Sequence, residues 1–259
     1  MYEPKQIPYL LDKNFKEKIE YKEYKIKKIQ KYCMCIWSMQ SNERIEKTIY
    51  NSILPDACID IVIDFKEKSI CFAGFSKETM ILPFNQKIDY MGVRLKPSSF
   101  YILFGLDATE VMDHPLPFSS VESSNALETI FDAKKIPDRI SILVQYLCKK
   151  IGNKKDTTFI QIVDELYQNP EYQTVHSIAL GFGYSQRHLL RLFKKYYGVS
   201  PQVLLNIVRL HLCLHALLEK RDIEDILEDA GFYDQSHFIK EIKRYTGFSP
   251  LELLKEENG

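Results

Sequence analysis

Two sets of side chains in the C-terminal half of this 259-residue chain have the types and spacing to bind a nucleic acid. Arg187, Leu190, Arg191 and Lys194 recur at i, i+3, i+4 and i+7, which is one face of a helix. Arg187 and Arg191 carry planar forks that match guanine O6 and N7 or a phosphate, while Lys194 and Lys195 suit the phosphate backbone. In the second set, Gln235 stands at a helix start, and Ser236, Ile239, Lys240 and Lys243 share a face. Gln and Ser suit base edges or phosphates, and the two lysines suit phosphates. A helix of this kind can lie in the major groove of double-stranded DNA with its N-terminal residues at the base edges. A lone basic helix face is usually just solvated, so the surrounding elements carry the weight.

Those elements are written twice. Residues 178–201 read IALGFGYSQRHLLRLFKKYYGVSP, and residues 226–250 read ILEDAGFYDQSHFIKEIKRYTGFSP. Gly198 and Gly247 are 49 positions apart, as are Pro201 and Pro250, whereas the turn glycines Gly183 and Gly231 are 48 apart. Each copy predicts a helix-turn-helix unit, and such repetition dictates architecture before any single residue does. Leu189, Leu192, Phe193 and Tyr196 form the expected buried stripe of the first reader helix, and Ser185 is placed to cap it. Phe238, Ile242 and Tyr245 form the second stripe. Between the units, residues 201–219 predict one long apolar helix of about 28 Å. That length approaches the roughly 34 Å between successive major-groove faces.

The rest of the chain predicts a second domain over 1–152, leaving 153–259 for the repeat, with units near 174–197 and 223–246. CMCIWSM, RIEKTIYNSI, ACIDIVIDF, SICFAGF and IDYMGVRL are short and rich in β-branched and aromatic residues, with turn residues between them. This is the rhythm of an antiparallel barrel or jelly roll. In ACIDIVIDF, Ile59, Ile61, Ile63 and Phe65 form an apolar face opposite Cys58, Asp60, Val62 and Asp64. The lysine-rich start, KNFKEKIEYKEYKIKKIQKY, suits a solvated edge segment. Residues 97–105 predict a short helix opened by Pro and closed by Gly. Further on, Ile140, Leu143, Val144, Leu147 and Ile151 form one apolar helical stripe, with a slight preference for a contact between subunits of a homodimer over packing on its own barrel. GNKKDTT then reads as a linker, with Gly152 ending one helix and Asp156 or Thr157 capping the next. The fold class is therefore two-domain: mostly β with trailing helices, then all-α.

Composition limits the alternatives. Of 35 basic and 35 acidic residues, residues 1–155 hold 24 and 20, which leaves 11 and 15 for the candidate DNA-binding half. Only local charge on that half can favour phosphate. The apolar runs IDIVIDF and SILVQYL are too short to cross a membrane, and MYEPKQIPYLL lacks the form of a secretory signal, so a cytoplasmic protein is expected. Six scattered cysteines suit reduced, partly buried thiols; Cys33 and Cys35 form a C-x-C pair with no second ligand pair nearby. His114 is the single histidine of residues 1–155, and His211 with His215 lacks a third ligand at helical spacing, so no metal, cofactor or enzymatic chemistry is expected.

Residues 174–254 resemble the DNA-binding domain of the AraC/XylS family of bacterial transcription regulators. The resemblance is carried by Ile178-Ala179, Gly183-Tyr184-Ser185, His188-Leu189, Arg191, Phe193-Lys194, Gly198 and Ser200-Pro201. It continues through Arg209-Leu210, Leu217-Leu218, GFYDQSHF, Lys240, Lys243, Gly247 and Ser249-Pro250. It implies a seven-helix domain in which Arg187, Leu190, Arg191, Gln235, Ser236, Ile239 and Lys240 face DNA. More weakly, ILPDACIDIVIDF, YMGVRLKPSSFYILFG and DHPLPFSSV resemble sensor domains of some members, which implies a small-molecule effector or protein partner there. Trp37, Phe72, Phe75, Phe84 and Tyr90 are the candidate effector contacts, although the same rings suit a barrel core. RNA polymerase is a partner if the protein activates. Three positions depart from the pattern. Leu227 replaces the small residue matched by Ala179 and is expected to spread the second unit, Ile242 replaces an aromatic, and Glu224, Asp225, Glu228 and Asp229 repel phosphate. The first unit is therefore expected to supply most base readout. Alternatives are an adaptor of the same fold with weakened DNA binding, controlled by a protein partner, and a cysteine-based DNA-repair fusion.

Overall fold

The computed structural model describes residues 1–6, 12–112, 114–169, 174–230 and 234–257. Two antiparallel sheets of the N-terminal half enclose a cavity. Strands β1 (Ile19–Tyr24), β2 (Cys33–Ser41), β4 (Ile59–Asp64), β5 (Ser69–Ala73), β7 (Asp89–Leu95) and β8 (Leu116–Pro117) form the larger sheet, in the order β1-β2-β7-β4-β5-β8. Strands β3 (Ile49–Ile53) and β6 (Met80–Phe84) form the smaller. Alternation along β4 organises the larger sheet. Ile59, Ile61 and Ile63 are buried in a cluster with Phe72, Met91 and Val93, as the apolar face of ACIDIVIDF requires. The register places Ile61 opposite both Val93 and Phe72, so three strands contribute to one apolar layer. The other face of β4 is not solvent: Cys58, Asp60 and Val62 line the cavity.

Two strands lie outside the apolar patterning. Strand β1 occupies the lysine-rich segment and pairs only with β2, which makes it the edge of the sheet. Strand β6 contains Pro83, which a two-stranded ribbon tolerates because one side of each strand needs no ladder bond. Ahead of β1, helix α1 (Lys13–Lys18) is capped by Asp12, whose carboxylate accepts from the Asn14 amide at 2.9 Å.

Helix α2 (Ser99–Phe104) follows β7 and closes on Gly105 at φ 77°, as the sequence predicts. Helix α3 (Ile136–Ile151) corrects an expectation. Leu143 and Leu147 of its stripe are fully buried among Ile61, Phe72 and Phe100, and Ile140, Val144 and Ile151 pack half-buried on the same cluster. The stripe slightly favoured as a subunit contact is thus covered by the chain's own sheet. Periodicity shows that a face needs covering but not what covers it. Gly152 ends α3, and the Asp156 carboxylate accepts from the Thr158 amide at 3.0 Å as α4 (Thr158–Gln168) begins.

The remaining helices are α5 (Val175–Gly181), α6 (Gln186–Tyr197), α7 (Pro201–Leu218), α8 (Ile223–Asp229), α9 (Gln235–Thr246) and α10 (Pro250–Glu257). Helix α7 has the length and apolar composition of a membrane span, yet it is the central core helix. Its first half packs with α4, α5 and α6 through Leu204, Leu205 and Val208. Its second half packs with α8 and α9 through Leu210, Leu214 and Leu217. At 18 residues it is about 27 Å long and holds the two units apart.

Apolar packing is shared between the two halves of the chain. Tyr2, Ala57 and Phe75 lie in the same cluster as Phe159, Phe193 and Leu204. Tyr2 donates its amide to Asp164 at 2.7 Å and its hydroxyl to the Asp56 carbonyl at 3.0 Å. His211 uses both ring nitrogens on backbone: Nδ1 accepts from the Lys5 amide at 3.0 Å, and Nε2 lies 2.8 Å from the Pro55 carbonyl. His215 Nε2 meets the Glu3 carbonyl. The i, i+4 histidine pair therefore fastens the N-terminal segment.

Candidate nucleic-acid interface and the cavity behind it

Helices α6 and α9 are built alike. Each has 12 residues, an extended N-cap whose side-chain oxygen accepts from the third helical amide, and a left-handed glycine at its end. The caps are Ser185, bonded to His188, and Asp234, bonded to His237. The closing glycines are Gly198 at φ 75° and Gly247 at φ 79°, a conformation that favours glycine. Ser200 and Ser249 then cap the Pro-initiated helices that follow. Gly231 of the second turn lies outside the described residues, as do the other residues of 231–233.

The buried stripes fall as expected, with Leu189, Phe193, Phe238, Ile242 and Tyr245 all in the core. Tyr196 is half-buried against it. On the opposite face of α6, Arg187, Leu190, Arg191 and Lys194 are exposed, and an Arg191 Nη2 lies 3.2 Å from His188 Nδ1. Gln235, Ser236, Lys240 and Lys243 are exposed on α9, while Ile239 is half-buried against the core. Lys195 leaves the exposed face that carries Lys194, with its ammonium 4.5 Å from the Tyr101 ring centroid on α2. One residue beyond Lys194, it is turned about 100° around the helix and so meets the N-terminal half. Leu227 packs half-buried on its cluster, while Ile226 and Ala230 take the fully buried places.

The C-terminal ends of α6 and α9 rest on the β-rich half. Tyr196 of α6 stacks on Phe159 at 3.8 Å and meets Tyr101 edge-on at 4.6 Å. A Cβ on Gly198 would come within 2.8 Å of Met112 Sδ and 3.3 Å of the Ala108 carbonyl, so the helix cap is seated against that turn. On α9, the Tyr245 carbonyl accepts a hydrogen bond from the Thr79 hydroxyl. Thr79 adjoins Met80, and Met112 adjoins Val111; both Met80 and Val111 line the cavity.

That cavity is about 350 Å³ and lies between the two sheets. The register puts Trp37 opposite Gly92 and Asp60 opposite Arg94 on the face that lines it. Gly92 is needed there, because a Cβ would stand 2.4 Å from the Trp37 ring. Trp37 Nε1 donates to Asp60 Oδ2 at 2.9 Å. Arg94 Nε lies 3.5 Å from Asp60 Oδ1 and 3.7 Å from Asp56 Oδ2, and its Nη1 lies 3.4 Å from Glu23. Asp56 also accepts from the Cys58 amide and from Gln6, each at 2.9 Å. Burial pushes the Asp60 carboxyl up to about 6, with Arg94 pulling it down and Asp56 pushing it further up.

Residues 178–256 match the family model described as a helix-turn-helix domain. Together with the paired caps, that match identifies residues 178–256 as an AraC-type helix-turn-helix domain. Beside this AraC-type domain, residues 26–117 match a domain of unknown function, DUF6597. No curated protein sequence matches the chain. Among solved structures, the C-terminal domain of AraT, a response regulator from Geobacillus stearothermophilus, is 26% identical, covering 37% of this chain and 78% of that one with a TM-score of 0.34. The C-terminal domain of the response regulator yesN from Fusobacterium nucleatum is also 26% identical, covering 36% of this chain and 91% of that one with a TM-score of 0.33. ToxT from Vibrio cholerae is 15% identical over 92% of this chain and 98% of that one, with a TM-score of 0.44.

Behind the AraC-type domain, Trp37, Phe75, Phe84 and Tyr90 all line the cavity. Phe72 does not. It is fully buried on the opposite face of the sheet among Phe100, Phe104 and Phe118, because its partner in the register is Ile61. The polar lining of Asp56, Asp60 and Arg94 escaped the sequence reading. Its signal was present in β4, where aspartates alternate with isoleucines in a strand central enough to be covered on both faces.

Proposed function

We propose that this DNA-binding transcription regulator reads DNA through α6 and α9 and is controlled through the cavity of its N-terminal half. The observation that carries the reading is the placement of the two reader helices. Their N-terminal residues are exposed, while their C-terminal ends rest on Met112 and Thr79, next to cavity residues. A change in the cavity walls therefore has a short mechanical route to both helices. Arg187 and Arg191 supply base readout, Lys194, Lys240 and Lys243 hold phosphates, and Gln235 and Ser236 begin the second contact. RNA polymerase is a partner if the protein activates, and the cytoplasm is the expected compartment.

Helix α8 presents Glu224, Asp225, Glu228 and Asp229, all exposed, and only Asp229 among them has a described ion pair, with Arg221. The first unit therefore dominates recognition. Genome-wide recovery of bound DNA supplies a target, and retardation of that target compares two variants. Arg191→Ala is expected to weaken binding tenfold or more, within the roughly 1–3 kcal/mol of a bidentate base contact. Lys240→Ala is expected to weaken it only a few-fold; a larger loss from Lys240→Ala overturns the ranking. The same acidic helix favours a second reading, an adaptor with weakened DNA binding, which a folded protein that retards no target at low salt supports. The repair reading finds no support in the thiols: Cys33 and Cys35 are buried, and burial pushes Cys33 up to about 12 and Cys35 upward too, away from the nucleophilic thiolate.

A further inference from the structure

The charges around the cavity specify more than its existence. Among the described lining residues the fixed charges are one cation, Arg94, and two anions, Asp56 and Asp60. Arg94 is already divided between those carboxylates and Glu23 on the neighbouring edge strand. Its Nε and Asp60 Oδ1 carry no hydrogen bond, but they face each other at 3.5 Å, so neither points to a missing partner. Residues 7–11 and 113 add no lysine or arginine to the balance. His114 is exposed where it borders the cavity.

The remaining wall is apolar and aromatic. Tyr21 and Trp37 have ring centroids 6.4 Å apart, and Phe84 and Tyr90 stack at 6.1 Å. Aromatic faces attract cations through the ring quadrupole, and the attraction grows where water is excluded. A ligand carboxylate here would add another anion beside a cation that three carboxylates already share. A neutral ligand would leave the excess negative charge as it is. The volume, about 350 Å³, falls in the range of small-molecule sites.

We infer that the cavity takes a hydrophobic organic cation, an apolar molecule bearing an ammonium group, with Asp60 as its counter-ion and the aromatic rings as its walls. This rests on the reading of the cavity as the control site. A cation beside Asp60 would oppose, by Coulomb attraction, the burial and the Asp56 charge that raise its carboxyl.

Trp37 is the single tryptophan of the chain and lines the cavity, so its emission reports occupancy directly. Full-length protein is titrated with three probes of similar shape: 3-phenylpropylamine, 3-phenylpropan-1-ol and 3-phenylpropanoate. The amine is expected to bind at least tenfold more tightly than the carboxylate and measurably more tightly than the alcohol. Asp60→Asn is expected to remove most of the amine's advantage over the alcohol while leaving alcohol binding nearly unchanged. If that variant does not fold, the ranking on the wild-type protein decides. A carboxylate that binds best, an amine no better than the alcohol, or an advantage that survives in folded Asp60→Asn overturns the ligand class but leaves the control site standing. No saturable response to any probe overturns the ligand class and the control site together.

Discussion

His211 gives the most quantitative prediction. The Pro55 carbonyl can only accept, so Nε2 carries the proton, and Nδ1 must keep its lone pair for the Lys5 amide. A second ring proton would point at an amide hydrogen inside a fully buried site. Burial accordingly lowers the imidazole from 6.5 to about 3. The folded-state value is depressed, so the unfolded chain binds the extra proton. Stability is intact above pH 6.5 and is lost as pH falls from 6.5 towards 3. At about 1.4 kcal/mol per pH unit, the loss is roughly 2 kcal/mol at pH 5 and approaches about 5 kcal/mol near pH 3. Asp56 and Asp60 act with the opposite sign, because burial raises them and acid relieves it. The wild-type profile alone therefore mixes both effects. His211→Gln separates them, since its amide can accept from Lys5 and donate to Pro55 without titrating. Urea unfolding at pH 7 and pH 5, followed by Trp37 emission and far-UV dichroism, is expected to show the wild type losing about 2 kcal/mol more than the variant. Parallel losses would refute the neutral, doubly bonded imidazole.

Gly198→Ala and Gly247→Ala both place a side chain at positive φ, a penalty of about 1–2 kcal/mol, but only Gly198 also faces Met112. Gly198→Ala is therefore expected to melt lower than Gly247→Ala by a few degrees, and equal melting temperatures would remove the seat of α6 on the β-rich half. Gly92→Ala drives a methyl into the Trp37 ring and to 2.7 Å from the Ile61 carbonyl. A loss of about 1–3 kcal/mol in urea unfolding with shifted Trp37 emission is expected; an unchanged spectrum would mean the ring does not lie over Gly92.

The repeated units were legible because their signals are local. Ser185, Gly198, Ser200 and Pro201 act within a few residues of themselves, and the structure uses each as cap, turn or first helical residue. The central strands were legible for a similar reason, since β4 and β7 keep their alternation. Strand β1 was hidden by lysines and β6 by Pro83, because an edge strand need satisfy only one neighbour. The α3 stripe was visible as a stripe, but its cover depends on the tertiary path. Phe72 and Trp37 look equivalent as residues, and only the register with Ile61 and Gly92 assigns them to opposite faces. Local patterning gave no sign of the fastening of Tyr2 and Lys5 to α4 and α7, because its partners lie 162 and 206 positions away.

The seats of α6 on Met112 and of α9 on Thr79 have a consequence for how the protein must be assayed. On the proposed control reading, an occupant that shifts these walls changes the affinity for DNA by some factor. Linkage then requires DNA to change the affinity for the occupant by the same factor. The free protein therefore understates, or overstates, its grip on that occupant at the promoter. Titrating the cavity with and without bound DNA measures this traffic in the reverse direction, from helix ends to sheet.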